Sequence, residues 1–223
     1  MKIGIVIINW NGLNLLKKYL NKIILNSDNS TVYIIDNNSS DESILYVREN
    51  YKEVKVISLD KNYGFAEGYN KGLKEVEEDY VCIINNDILV TKDWLDPIRR
   101  RFKKDPESIV QPTILDINNT EYFEYAGASG GFIDKYGYPF CRGRIFDTIE
   151  KDNGQYNDSK IFWASGACFF ISKNIFNKIG GFDNSFFAHM EEIDLCWRAF
   201  NLGYNSYSVT SVSYTHLTLP TTD

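Results

Sequence analysis

Long apolar runs are missing from this chain. No stretch approaches the roughly 20 apolar residues that a membrane-spanning helix needs. The apolar run at Ile3–Ile8 is too short for a secretory leader and stops at Asn9, so no signal peptide is expected. A basic stripe is missing too. With 24 Lys and Arg against 30 Asp and Glu, the formal net charge is -6, and nucleic acid is not expected as a partner. The short cluster Arg99-Arg100-Arg101 with Lys103-Lys104 reads as a solvated helix face. The four cysteines, Cys82, Cys141, Cys168 and Cys196, form no C-x-x-C pair. Reduced, buried thiols follow, and neither a disulfide frame nor a zinc site. The phosphate signatures G-x-G-x-x-G and G-x-x-x-x-G-K-[ST] are also absent, which argues against a nicotinamide enzyme and a P-loop NTPase.

What is present is a strand–helix alternation. The 223 residues are 43% hydrophobic and 15% aromatic, enough for a sizeable core in one large domain or two small ones. Lys2–Ile8 reads as a buried strand, followed by Leu13, Leu16, Leu20 and Ile24 at helical spacing. Val32–Ile35 precedes a helix through Ile44, Leu45 and Val47, capped by Ser40 or Asp41. Val54–Leu59 precedes a helix over Phe65–Val76. Its Gly68 and Gly72 cost about 1 kcal/mol of helix propensity each, which implies close approach to a ligand or a neighbouring strand. Val81–Ile84 precedes a helix over Trp94–Phe102. Four such repeats predict an α/β fold with a mostly parallel central sheet and helices on both faces.

Three of the strand ends share one character: Asn9-Trp10-Asn11, Asp36-Asn37-Asn38 and Asn85-Asn86-Asp87. Ligands of open α/β sheets sit at such carboxyl ends. These amides and carboxylates can pair with a base, a ribose and a metal-bound diphosphate. Asp87, a lone carboxylate between amides and apolar residues, suits a hard divalent cation that keeps water and phosphate in its shell. Capping a turn is its structural alternative.

The second half changes texture. Glu121–Asp147 is rich in Gly, Tyr and Phe and reads as a hairpin or loop segment. Its Arg142 and Arg144 suit either a phosphate or surface ion pairs. Phe162–Ile171 is apolar around Gly166, and a short helix follows at Lys173–Ile179. A helix opening at Glu191-Glu192 is predicted to bury Ile193, Trp197 and Phe200 and to close at Asn201 and Gly203. Acids in a first turn stabilise a helix by about 0.3–1 kcal/mol. Alternatively, one of them faces the crevice as a general base, its pKa lifted by its neighbour and by nearby rings.

With these residues in view, the chain resembles the family 2 glycosyltransferases of the GT-A fold, most closely their rhamnosyltransferase-like branch. The resemblance spans nearly all of Lys2–Tyr207. It rests on IVIINWNG, IIDNNSSDES, NYGFAEGYNKG, INNDILV and WASGACFFI…GGFDNSFFAHMEEIDLCWR, five stretches in order. It implies an inverting transfer from a nucleotide-diphosphate donor, dTDP-rhamnose or a UDP-sugar, to a hydroxyl of a cell-envelope glycan or lipid-linked acceptor. It also implies that Asp36 holds the base, with Asn9, Asn11, Asn38, Asn62, Gly64, Asn85 and Asn86 around the nucleotide. Asp87 matches the metal-binding position of D-x-D, whose first position is here Asn85. The implied cofactor is Mg²⁺ or Mn²⁺, with His216 near the position of a histidine that can join it. Glu192 matches the catalytic base beside Glu191, Trp163 and Gly166 fall on the acceptor side, and Asp194 and Arg198 brace the helix.

A sugar nucleotidyltransferase is a rival reading, but Asn9–Gly12 carries no Lys or Arg to grip a triphosphate. A second rival is a non-catalytic sugar-nucleotide or glycan-binding protein on a degenerate GT-A fold. The expected organisation is one domain over residues 1–208. Its nucleotide part is about 1–115 and its acceptor part about 116–208. A Ser/Thr-rich tail, 209–223, looks foreign to the rest. A cytoplasmic location, with peripheral contact at the inner face of the membrane, is the expectation that goes with a lipid-linked acceptor.

Overall fold

The computed structural model describes residues 1–186 and 189–216, the side chains of 211–216 excepted. The expected alternation runs β1 (Ile3–Asn9), α1 (Leu13–Asn26), β2 (Ser30–Asp36), α2 (Ser43–Asn50), β3 (Lys55–Ser58), α3 (Gly64–Gly72) and β4 (Tyr80–Ile84). After β5 (Ile88–Leu89) come α4 (Leu95–Lys104) and β6 (Ser108–Asp116). Two small hairpins follow, β7 (Gly131–Ile133) with β8 (Pro139–Cys141), and β9 (Arg144–Ile145) with β10 (Thr148–Ile149). Then β11 (Ser159–Ile161), β12 (Cys168–Ser172), α5 (Lys173–Lys178), α6 (Glu191–Asn201) and β13 (Asn205–His216) complete it.

The central sheet has the order β11-β13-β6-β12-β4-β1-β2-β3, with β5 paired to β13. Strands β3, β2, β1 and β4 are mutually parallel, whereas β12 runs antiparallel between β4 and β6. Strand period two divides the core. Ile3, Ile5, Ile7, Ile34, Cys82 and Ile84 face α1, α2 and α4. Val6, Tyr33, Ile35, Val81 and Ile83 face α3, α5 and α6.

Gly68 and Gly72 serve the sheet. A Cβ on Gly68 would run into Ile8 Cδ1, and one on Gly72 into the side chain of Ile35. The helix ends at Gly72 and tightens into a 3₁₀ turn at Leu73–Glu75 rather than reaching Val76. The four cysteines are free and buried, and burial holds the Cys82 thiol well above its ordinary pKa, with Cys168 Sγ 3.8 Å away.

Helix α6 departs from the predicted face. Ile193 is buried, as expected, with Leu195, Cys196 and Ala199, but Trp197 and Phe200 are 43% and 57% exposed. The inward positions at the helix start belong to the two acids, and this rotates the two aromatic residues outward. Phe162 flanks both, with ring centroids 5.7 and 5.3 Å away. Strand β13 crosses the boundary expected at 208 and pairs with β6 as far as His216↔Asp116, with a register shift between Val209 and Ser213. The backbone of His216 also pairs with Ile88. Its expected metal contact concerns a side chain outside the described ones, and the rest of the tail, 217–223, lies outside the described residues.

Candidate active site

The order β3-β2-β1-β4 puts β1 at a topological switch point, where the first crossovers leave to one side and β4 lies on the other. A crevice opens at the carboxyl ends of strands in that arrangement. The polar strand tips meet there. Buried Asn9 donates from Nδ2 to Ser43 Oγ at 3.0 Å and Ser39 Oγ at 3.2 Å, while its Oδ1 accepts from Asn86 Nδ2 at 3.3 Å. One amide therefore ties the tips of β1, β2 and β4 together. Asp36 is buried at the end of β2, and its Oδ1 accepts the Ser39 N–H at 2.9 Å.

Several expected nucleotide contacts carry structural duty of their own. Asn11, at φ 52°, accepts the N–H groups of Ser40 at 2.7 Å and Asp41 at 3.2 Å, shaping the loop after β2. Asn38 takes φ 62° in that loop, a conformation that Asn tolerates. Asn62 Oδ1 accepts the Gly64 N–H at 2.8 Å, and Gly64 has φ 71°.

Asn37 is the residue that sequence reading passed over. Its Nδ2 donates to Asn62 Oδ1 and Gly64 O, both at 2.9 Å, and its Oδ1 accepts the Tyr63 N–H at 2.9 Å. It clasps the start of α3 to the tip of β2. The signal was there: side chains alternate along a strand, so Asp36 and Asn37 must serve opposite sides of the tip. The N-cap of α2 is Glu42, not Ser40 or Asp41, and its side chain makes no capping bond; Asp41, one residue earlier, accepts the N–H groups of Ser43 and Leu13, both at 3.0 Å, and so joins the starts of α2 and α1.

The two glutamates enter the same crevice from the other end of the chain. His189 and Met190 both hold positive φ, 70° and 72°, just before α6. Bulky residues pay strain for that conformation, and such strain gathers at functional turns. Glu191 and Glu192 then line a cavity of about 260 Å³ with Phe65, Asn85, Ser165 and Gly166. Asn85 comes from the tip of β4, its N–H bonded to Ala167 O at 3.0 Å. Both acids carry a buried Oε2 without a hydrogen-bond partner among the described residues. Burial, and then the charge of Glu191, raises the Glu192 carboxyl from 4.5 to about 7. Burial raises Glu191 as well, against an opposing pull from His189.

Gly166 faces this cavity, and a Cβ there would stand 3.6 Å from Glu192. Trp163 lies behind it. Its buried indole donates to Phe132 O at 2.9 Å and supports the β7–β8 hairpin. Arg198 donates to Asp194 Oδ2 at 2.6 and 2.8 Å, the expected brace.

Residues 4–180 match the family described as Glycosyl transferase family 2. The chain belongs to that family. It is 25% identical over 202 residues to the low-salt glycan biosynthesis hexosyltransferase Agl10 of Haloferax volcanii, covering 88% of this chain and 61% of that protein. It is 22% identical over 202 residues to an N-acetylglucosaminyl-diphospho-decaprenol L-rhamnosyltransferase of Mycobacterium tuberculosis, with 83% and 66% coverage. The chain thus spans less than two thirds of either relative's length, and its likeness to rhamnosyltransferases agrees with the expected branch. The crystal structure of GalNAc-T7 with UDP, GalNAc and Mn²⁺ superposes with a TM-score of 0.79 at 17% identity, over 98% of this chain and 44% of that one. The fold is GT-A.

Within this family 2 glycosyltransferase fold, Asp87 follows Asn86 and leads into β5, with 7% of its surface exposed. The cavity that holds Glu192 is lined as far as Asn85, two residues before it. No group of three His, Cys, Asp or Glu suited to a metal comes together among the described residues. One carboxylate with flanking amide oxygens fits a hard cation that takes most of its shell from phosphate and water, rather than one caged by protein. Arg142 is committed elsewhere, donating from Nε to Ser129 O at 2.8 Å and lying 5.0 Å over the Tyr156 ring. Arg144 lies 3.8 Å over the ring of Tyr125.

Proposed function

We propose that the chain transfers a sugar from a nucleotide-diphosphate donor, dTDP-rhamnose or a UDP-sugar, to a hydroxyl of a cell-envelope or lipid-linked glycan, with inversion. The carrying observation is one cavity shared by the strand tip at Asn85 and two acids with a buried Oε2 each, one with its pKa near 7. A group that titrates at working pH is the efficient choice for taking a proton from an attacking hydroxyl.

In this reading Glu192 holds the acceptor proton and Glu191 supplies the neighbouring charge that keeps the pKa of Glu192 high. Asp36 and the amides around Asn9 bind and orient the nucleotide. Asp87 would hold Mg²⁺ or Mn²⁺ with the donor phosphates; when bound, the ion neutralises charge gathering on the leaving diphosphate. The walls at Phe65 and Ala167 exclude water from the reacting carbon. Supporting this, GalNAc-T7 was crystallised with UDP and Mn²⁺, and the mycobacterial relative is named for a decaprenol-linked acceptor. Residues 1–115 serve the nucleotide and 116–208 the acceptor. A lipid-linked acceptor brings the protein to the inner face of the cytoplasmic membrane without spanning it.

Glu192→Gln tests the assignment. Transfer is expected to fall by about 10²–10⁴-fold, the usual worth of a general base, while UDP or dTDP binding by thermal shift stays within twofold. Full turnover by the variant removes Glu192 from the role.

A further inference from the structure

Beside the catalytic cavity lies a second one of about 530 Å³ with no part in the proposed chemistry. Tyr125, Phe140, Arg144, Ile145, Phe146 and Asp147 line it. The first cavity includes Glu124 and Ala126 and the second includes Tyr125. Three consecutive residues span at most about 10 Å of chain, so the two cavities share this segment as a common wall. Ser165, in the wall of the first, donates from Oγ to Ala126 O at 2.9 Å and fixes the rim between them.

Phe146 is the residue that packing does not explain. It opens the two-residue turn between β9 and β10, where Thr148 pairs with Ile145. Its φ is 52° and its side chain is 90% exposed. Hairpin turns give a positive φ at that position to Gly or Asn. A phenylalanine there is strained and offers its ring to solvent, two costs that bring no burial in return. Arg144 stacks 3.8 Å over Tyr125 and steadies that ring in the cavity wall. Phe140 is stacked on Phe132 at 5.7 Å.

We propose that this cavity is an acceptor subsite. It holds a pyranose of the acceptor glycan beyond the unit that reacts, against the rings of Tyr125 and Phe146, with Arg144 and Asp147 binding its hydroxyls. The proposal rests on the reading of the neighbouring cavity as a glycosyl-transfer site. Aromatic walls with a few placed polar groups are the pattern of small-ligand sites of this volume. A lipid tail or an apolar peptide would strip water from Arg144 and Asp147 and give nothing back. A pyranose offers C–H faces to the rings and hydroxyls to both charges.

Saturation-transfer NMR on the full chain tests this, with three probes: N,N′-diacetylchitobiose, a rhamnosyl-N-acetylglucosamine disaccharide and mannobiose. At least one is expected to receive saturation from the wild type. Tyr125→Ala and Phe146→Gly are expected to cut that signal at least fivefold, with the UDP or dTDP shift unchanged. Glycine suits the turn, so Phe146→Gly should keep its Tm. No binding by any probe overturns the subsite, as does an undiminished signal in both variants. Loss of self-association in place of lost sugar signal overturns it in favour of a second copy of the chain. Wild-type chain that binds a disaccharide but neither UDP nor dTDP retires the transfer reading and leaves the sugar subsite standing.

Discussion

Glu192 is held between stability and chemistry. Its carboxyl, raised to about 7 by burial and then by Glu191, is neutral at acid pH at little cost and costly to ionise. A folded-state pKa above the ordinary carboxyl value contributes stability that is full below about 4.5 and lost as pH rises through 7. A shift of this size is worth on the order of 3 kcal/mol. As the proposed base, Glu192 must be ionised, so activity should rise over the same interval in which stability falls. Glu192→Gln is therefore expected to match the wild type in urea at pH 4 and to exceed it by about 1–3 kcal/mol at pH 8. An identical pH dependence in both proteins would mean that the charge at Glu192 is already compensated. Asp41 has the opposite sign: burial pushes its carboxyl up, but the hydroxyl and N–H of Ser43 and the N–H of Leu13 outweigh it and hold it low. Its contribution is lost at acid pH. Paired acids before an apolar helix are visible in a sequence, so the place of Glu191 and Glu192 at the start of α6 was legible. Strand alternation sets Asn37 apart from Asp36, but its partners at the start of α3 lie 25 and 27 residues further on, so the clasp itself was not legible.

Helix α3 shows an element whose sequence is chosen against its own propensity. Gly68 and Gly72 weaken the helix, yet each lets it settle on a strand side chain, Ile8 or Ile35. Gly72→Ala should gain about 1 kcal/mol of helix propensity and lose about 1–3 kcal/mol to overpacking against Ile35. Net destabilisation in a urea titration, relieved by Ile35→Val in the double variant, is the expected result. A more stable Gly72→Ala would mean that the strand side chain moves aside freely. Here the residues did carry the message, since two glycines four apart in a helix have few other uses. In α6 the same kind of reading failed. Hydrophobic periodicity takes apolar residues to point inward, but the acid pair claims the crevice side and leaves Trp197 and Phe200 outside. An acid pair turned inward at a helix start rotates the face that periodicity alone would bury.

At the scale of the molecule, the alternation of the first hundred residues is enough to foresee β1 to β4, their helices and the crevice at their tips. The second half is not foreseeable in that way. The antiparallel entry of β12 between β4 and β6, and the arrival of β13 beside β6, follow from long-range pairing that no local pattern encodes. Yet that pairing brings α6 back to β4 and so makes one site from the two halves. The site's ligand should then tie both halves together. A ligand at about 100 times its Kd stabilises the folded state by about 2.7 kcal/mol, and UDP or dTDP with Mn²⁺ is expected to raise Tm accordingly. Asp36→Ala should abolish the rise by removing the base contact. Asp87→Ala should leave a smaller rise that is the same with and without a chelator, because the remaining affinity no longer depends on a cation. If the chelator lowers nucleotide affinity as much in Asp87→Ala as in the wild type, the cation is held by other groups, and Asp87 is only the turn residue its neighbours Asn85 and Asn86 would suggest.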